Sequence, residues 1–290
     1  MTPLRRVVVT GVGPVSPVGT GRVAFADSLR AGRSGVARLR MFDPAGLPIQ
    51  IGAEIPDFDP ARYVSKAERK GLKHMARTVQ LAVASARLAL DDAGLAAGTV
   101  DPDRFGVVYG SGTLPGELLD LAEASVLSYD PATGQANPEW FGRDGLRTVP
   151  PMWLLTHIPN MTSGYVSILN DARGPNNSIV QSDVSGVLAV GEAARVIRRG
   201  AADVVLAGGT DVRTDLLSVA RAPVYLPVPR RNDDPEGAVR PFDRDRDGQA
   251  LGEGSGAVVL EELEHARRRG ATILAEVCGF AAGFDRGRTG

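Results

Sequence analysis

The stretch Gly174-Pro175-Asn176-Asn177-Ser178-Ile179-Val180-Gln181-Ser182-Asp183-Val184-Ser185-Gly186-Val187 decides how this chain folds. Gly174-Pro175 marks a turn, the residues after it a short strand, and the apolar run from Val184 onward a helix. The result is a sharp strand-to-helix elbow, with Gln181, Ser182, Asp183, Ser185 and Gly186 in or beside the first helical turn. Such an elbow aims one side chain into a site while unpaired backbone N–H groups at the helix start face it. The residue presented there is Asp183. Residue chemistry by itself favours a plainer role, in which Ser182 or Asp183 caps the helix for ~1 kcal/mol.

Outward from the elbow, the helix spans about Ser182 to Arg199. Val184, Val187, Leu188, Val190, Ala194 and Ile197 leave almost no polar face, while Arg195, Arg198 and Arg199 collect at the C-terminal end as the helix dipole prefers. This predicts a central, buried helix. A second helix is expected from Lys73 to Ala93, where Met75, Val79, Val83, Leu88 and Leu90 return at roughly helical spacing and Gly94 supplies the stop. Val-rich runs at Arg6 to Thr10, Phe105 to Tyr109, Asp203 to Ala207, Ala257 to Glu261 and Ile273 to Cys278 predict buried strands covered on both faces. Alternating strands and helices imply an α/β protein with a largely parallel sheet. Two proline-rich stretches, Ser128 to Met152 and Ala222 to Asp247, are expected to be irregular excursions over the surface.

Size and composition set bounds on function. The chain has 290 residues, enough for about two compact units or one large one. A net charge of −1 gives no electrostatic reason to expect a nucleic-acid partner, and 43 % hydrophobic with 23 % charged residues is a globular balance. Cys278 is the sole cysteine, so no disulfide can form within the chain and a reducing compartment, the cytoplasm, is expected. No apolar stretch approaches the ~20 residues that cross a bilayer, so neither export nor a membrane is expected.

Other motifs carry less. Gly11-Val12-Gly13 follows a strand, but Ser16 stands where a dinucleotide fingerprint needs its third glycine, and a tight turn after the first strand is the better reading. Asp243, Asp245, Asp247 and Gly248 begin a calcium-loop pattern, yet Gly254 occupies the bidentate acid's position, which favours a salt-bridged Arg and Asp loop. Neither a metal nor a cofactor is expected. His74 and His265 read as solvated surface residues, and His157, in an apolar context, as a hydrogen-bonded core or loop histidine.

The order of blocks resembles the N-terminal portion of the β-ketoacyl synthases, the thiolase-like condensing enzymes of fatty-acid and polyketide assembly. The matching blocks begin with Val7-Val8-Val9-Thr10-Gly11-Val12-Gly13, Ser16-Pro17-Val18-Gly19 and Phe105-Gly106-Val107-Val108-Tyr109-Gly110-Ser111-Gly112. They continue through Ile158-Pro159-Asn160-Met161, Ser163-Gly164, Gly174-Pro175-Asn176, Ala202-Asp203 and Ala207-Gly208-Gly209. Arg240-Pro241-Phe242-Asp243, Arg246-Asp247-Gly248 and Gly252-Glu253-Gly254-Ser255-Gly256 complete the series. The fold this implies is an α/β, thiolase-like layered fold, its N-terminal half holding a mostly parallel or mixed sheet flanked by helices. Residues 1–262 would form the synthase N-terminal-like domain and 263–290 the start of an incomplete C-terminal half.

The resemblance also exposes two departures. In the family, the elbow carries a cysteine in a Thr-Ala-Cys-type triplet, and its thiolate accepts the acyl chain; Gln181-Ser182-Asp183 stands there in this chain. The family's two histidine motifs belong to its C-terminal half, and none appears before Gly290. Condensation in the family is a decarboxylative Claisen reaction, and a carboxylate is a weak nucleophile for thioester exchange. Gln181, Ser182, Ser185 and Gly186 would form the elbow and oxyanion environment around Asp183, whose negative charge would oppose a developing enolate.

These departures imply a non-elongating subunit, similar to chain-length factors, that acts with acyl carrier protein and its acyl or malonyl group. It would pair with another ketosynthase chain, as a homo- or heterodimer, with homodimerisation implied through the strand just before or around the elbow. The alternatives are an acyltransferase or decarboxylase using Asp183 and completed by another chain, or a non-functional truncated synthase fragment.

Overall fold

The computed structural model describes residues 5–112 and 120–283. Its first elements are β1 (Val7–Ser16), β2 (Gly19–Thr20), α1 (Arg22–Arg30), β3 (Ala37–Arg38), β4 (Ile51–Gly52), α2 (Arg77–Asp92) and β5 (Phe105–Ser111). Next come α3 (Ala122–Ser128), β6 (Tyr129–Asp130), β7 (Gln135–Ala136), α4 (Pro138–Arg143), α5 (Met161–Leu169), β8 (Asn176–Ile179) and α6 (Ser185–Arg198). The chain continues with β9 (Val204–Val212), α7 (Leu216–Tyr225), β10 (Glu253–Glu262), α8 (Leu263–Arg268) and β11 (Ala275–Glu276).

The main sheet runs β11-β1-β10-β9-β5-β8, with β2 added to the end of β1. Parallel pairing joins β8 to β5 and β5 to β9, because α5 and α6 supply the crossovers. On the other side β10 is antiparallel to both β9 and β1, and β11 is antiparallel to β1. The sheet is therefore mixed rather than largely parallel. The long return between β9 and β10 brings the chain back in the opposite direction without a crossover of that kind.

Both faces of this sheet are covered, which explains the unbroken apolar runs. Val107, Tyr109, Val204, Leu206 and Val259 pack with α2 and α5 residues such as Val79, Val83, Ala86 and Val166. Their strand neighbours Val108, Val205, Ala207 and Leu260 point the other way, onto Ala189, Ala193, Val196 and Ile197 of α6. Helix α2 ends where Gly94 takes φ +66 and donates its N–H to Asp91 O, the stop expected there.

Several expectations are corrected. Gly11-Val12-Gly13 is no turn, since β1 runs straight through it with a register shift between Val9 and Gly11. Glycine is required because α2 crosses there: a Cβ on Gly13 would stand 2.0 Å from Ser85 O. Helix α6 is buried on one side only, with Val184 and Val187 exposed. The strand expected at Ile273 to Cys278 shrinks to the exposed pair Ala275–Glu276, and Cys278 is also exposed. The Ser128 to Met152 excursion holds a β6–β7 hairpin and α4, whose first turn is capped by Asn137 Oδ1.

No linker separates the two expected units, because β10 ends at Glu262 and α8 starts at Leu263. Leu263 and Ala266 pack on Val8, and Phe280 lies over Gly191 with Arg195 5.5 Å from its ring centre. Residues 1–4 and 284–290 of those units lie outside the described residues. Among the described residues, no helix is long and apolar enough to cross a membrane, and no group of three or more His, Cys, Asp or Glu side chains is placed to hold a metal ion. The Asp243 loop is the expected charged turn, with Arg240 3.4 Å from Asp247 and Arg244 3.5 Å from Asp245.

Two histidines diverge in fate. The His157 ring meets Trp153 O at 2.8 Å and Thr156 Oγ1 at 2.9 Å and tilts over Trp153, the loop role expected of it. By contrast His265 is no solvated surface residue. It lies 2.7 Å from Glu261 Oε2, a fully buried carboxylate that also binds Arg269 and Thr10.

Candidate functional site

The elbow sits where three glycines let helix and sheet backbones touch. A Cβ on Gly110 of β5 would lie 2.2 Å from Ser185 C, and one on Gly209 of β9 would lie 2.8 Å from Gly186 Cα. The start of α6 is thereby pressed onto the ends of two neighbouring parallel strands. Strand β8 delivers the chain to this point beside β5, with Ile179 opposite Gly110. After Gln181 the backbone turns in one 3-10 turn, Ser182–Val184, before α6 begins.

Ser182 carries the strain of that turn at φ +51, a left-handed conformation uncommon for a non-glycine residue. Neither Ser182 nor Asp183 caps the helix, which corrects the capping expectation. Ser185 does the bracing instead: its Oγ accepts from Gln181 N at 2.7 Å and donates to Ser182 O at 2.7 Å. The hydroxyl is buried and closes the turn from inside, leaving Asp183 at the tip.

Gln181, Ser182, Asp183, Ser185 and Gly186 are thus brought together as one local unit. A cleft of about 340 Å³ opens at the elbow, lined by Ser182, Asp183, Ser185 and Gly186, and from the strand ends by Ser111 and Asp211. Ser111 is buried and, among the described residues, its Oγ has no hydrogen-bond partner. Asp183 stays 72 % exposed at its side chain and pairs with Arg213, Oδ1 to Nη2 at 2.8 Å.

Two residues of this cluster escaped the sequence reading. Asp211 is the penultimate residue of β9, and Arg213 Nε donates to its Oδ2 at 2.8 Å. Burial pushes the Asp211 carboxyl above its ordinary value against the pull of Arg213, and nearby Asp183 adds to the rise. Burial also works against the Arg213 charge, but Asp211 and Asp183 outweigh it and the guanidinium titrates above its ordinary value. The signal available in sequence was weak, an Asp and an Arg shortly after Gly208-Gly209 at a strand end.

Cys278 lies two residues beyond β11, at one edge of the sheet, whereas the elbow follows β8 at the other. The chain's single thiol is therefore not part of the elbow. Among the described residues, no group lining the cleft is a thiolate, the strong nucleophile of thioester exchange.

The model of the β-ketoacyl synthase N-terminal domain matches residues 4–266. The chain is 40 % identical over 281 residues to 3-oxoacyl-[acyl-carrier-protein] synthase 2 of Coxiella burnetii, covering 97 % of this chain and 64 % of that protein. Its identity to the Vibrio cholerae synthase of the same name is 37 %, with the same coverage. Among solved structures, a β-ketoacyl synthase from Burkholderia phymatum matches with TM-score 0.79 and 32 % identity over 95 % of this chain and 64 % of that one. The ishigamide ketosynthase/chain length factor matches with TM-score 0.76 and 34 % identity over 96 % and 63 %. The chain spans about 64 % of the length of these curated relatives. The layered, thiolase-like α/β fold is shared with these structures, and the chain belongs to the β-ketoacyl synthase family, to whose N-terminal domain residues 4–266 correspond.

Proposed function

We propose that this chain is a ketosynthase-like subunit of fatty-acid or polyketide assembly that does not itself elongate an acyl chain. It works as the partner of an active β-ketoacyl-[acyl-carrier-protein] synthase chain and of acyl carrier protein bearing an acyl or malonyl group. One observation supports this reading: the tip of the elbow holds Asp183, ion-paired to Arg213, and we take this residue as the occupant of the position that the resemblance gives to the family's acyl-accepting cysteine. A carboxylate attacking a thioester would give a labile mixed anhydride, and a negative group beside the helix start opposes an enolate. Residues 1–262 act as the synthase N-terminal-like unit in this reading, with 263–290 leading into the second half.

The sheet supports the pairing. Strand β8 is the outermost strand beside β5, so its outer edge is free of strand partners among the described residues. Ile168, Val180 and Val187 are exposed on or near this flank. A second synthase chain joining here would extend the sheet and cover apolar surface in one step.

Incubating the purified chain with acyl- and malonyl-loaded carrier protein tests the reading. No extended product is expected from the chain alone. Extension by one malonyl-derived unit without any added synthase would overturn it.

A further inference from the structure

The chemistry of the elbow depends on a second position that no motif singles out. Arg213 lies just past β9, and its guanidinium is shared by two carboxylates, Asp183 on the elbow and Asp211 at the strand end, each at 2.8 Å. The strand side of this chain of charges is built in. Asp211 Oδ1 accepts from Val212 N at 3.0 Å, and its carboxylate presses on Gly112, where a Cβ would meet Oδ2 at 2.9 Å. Arg213 N donates to Gly252 O at 3.0 Å, anchoring the backbone beneath the guanidinium.

The elbow side is the exposed one. Arg213 is 28 % exposed while the Asp183 side chain is 72 % exposed, so a fixed cation receives a solvent-facing acid. The left-handed backbone of Ser182 sets the direction from which that acid arrives.

We propose that Arg213 is the positioning residue of the elbow, holding whatever anionic side chain occupies position 183 to the end of β9. The inference rests on reading Asp183 as the occupant of the acyl-acceptor position. Positions 183 and 213 then act as a pair. A carboxylate at 183 is engaged in an Asp–Arg–Asp chain, and a thiol placed there faces a cation that favours its thiolate. A thiol acceptor at the elbow therefore needs a change at 183 with Arg213 retained.

The test follows alkylation by iodoacetamide against pH in a Cys278→Ser background, because the native thiol is exposed. Asp183→Cys is compared with Asp183→Cys/Arg213→Gln and Asp183→Cys/Arg213→Lys. With Arg213 present, the midpoint of the pH–rate profile is expected about one pH unit lower than with Gln. Alkylation at pH 7 should then be about threefold faster, since added thiolate outweighs its reduced nucleophilicity. Lys at 213 should restore most of the shift. Superimposed Arg and Gln profiles would overturn the proposal.

If the double variants do not fold, Asp183→Cys alone in about 1 M salt decides, because screening should move its midpoint upward. A midpoint indifferent to salt contradicts the role of Arg213. Elongation by the unaltered chain would sink the non-elongating reading and leave this comparison standing, so the two failures are distinguishable.

Discussion

Glu261→Ala lowers the stability of the folded chain by about 3 kcal/mol and its thermal midpoint by about 5 °C. Glu261 is fully buried, and its carboxylate is met by Arg269, by the His265 ring at 2.7 Å and by the Thr10 hydroxyl. Arg269 also donates to Ala93 O at 2.9 Å, so one cluster ties β1, the end of α2, β10 and α8 together. Removing the carboxylate leaves three cationic or polar groups, Arg269, His265 and Thr10, facing a cavity. Partial exposure of Arg269 and His265 keeps the cost near the lower end for a broken buried pair.

This contribution has a defined pH window. Burial works to raise the Glu261 carboxyl, but the hydrogen bonds from Arg269, His265 and Thr10 and the Arg269 charge outweigh it, bringing it down to about 2 from an ordinary 4.5. A carboxyl lowered by folding stabilises fully above its unfolded value and loses that stabilisation as pH falls toward its folded one. The gap in midpoint between the native chain and Glu261→Ala should narrow as pH falls from about 4.5 to 2. A gap independent of pH across that interval would show that the carboxylate charge does not contribute.

Gly110→Ala is the second large effect, and it bears on the elbow directly. The added Cβ would stand 2.2 Å from Ser185 C and 2.3 Å from Ser185 O, both backbone atoms that no rotamer change can move aside. Overpacking typically costs 1–3 kcal/mol, and a backbone collision belongs at or above the top of that range, about 3 kcal/mol. Because Ser185 braces the turn through Gln181 N and Ser182 O, displacing it also loosens the elbow. Faster amide hydrogen exchange at residues 182–186 and a lower thermal midpoint are expected. Gly142→Ala, where a Cβ meets nothing within 4 Å, is the matched control and should change neither by a comparable amount.

Much of the architecture was legible because it rests on local pattern. Unbroken Val-rich runs marked strands covered on both faces, and Gly94 marked the end of α2. What escaped was set by contacts distant in sequence. Gly11 and Gly13 look like a turn until α2 crosses over them, and the sense of β10 depends on a long return with no periodic signal. His265 looks solvated because its charged neighbours in sequence hide the buried Glu261 beneath it.

The candidate site divides in the same way. The elbow and its aspartate were visible in the order turn, strand, acid, apolar helix, since those residues are consecutive. Arg213 was not visible, because it is 30 residues away and reaches Asp183 only after β9 comes to lie beside β5. Ser185 was visible as part of the elbow, but the closure of the turn by its hydroxyl was not, because it follows from the left-handed Ser182 that sequence does not show.

Whether the elbow takes an acyl group is the central question, and intact-mass spectrometry after incubation with acyl-loaded carrier protein answers it most directly. The chain is expected to keep its unmodified mass, with Asp183 held by Arg213 and Cys278 on the far edge of the sheet. An acyl adduct that maps to the peptide containing residues 181–186 would contradict that expectation and make the elbow an acyl acceptor after all.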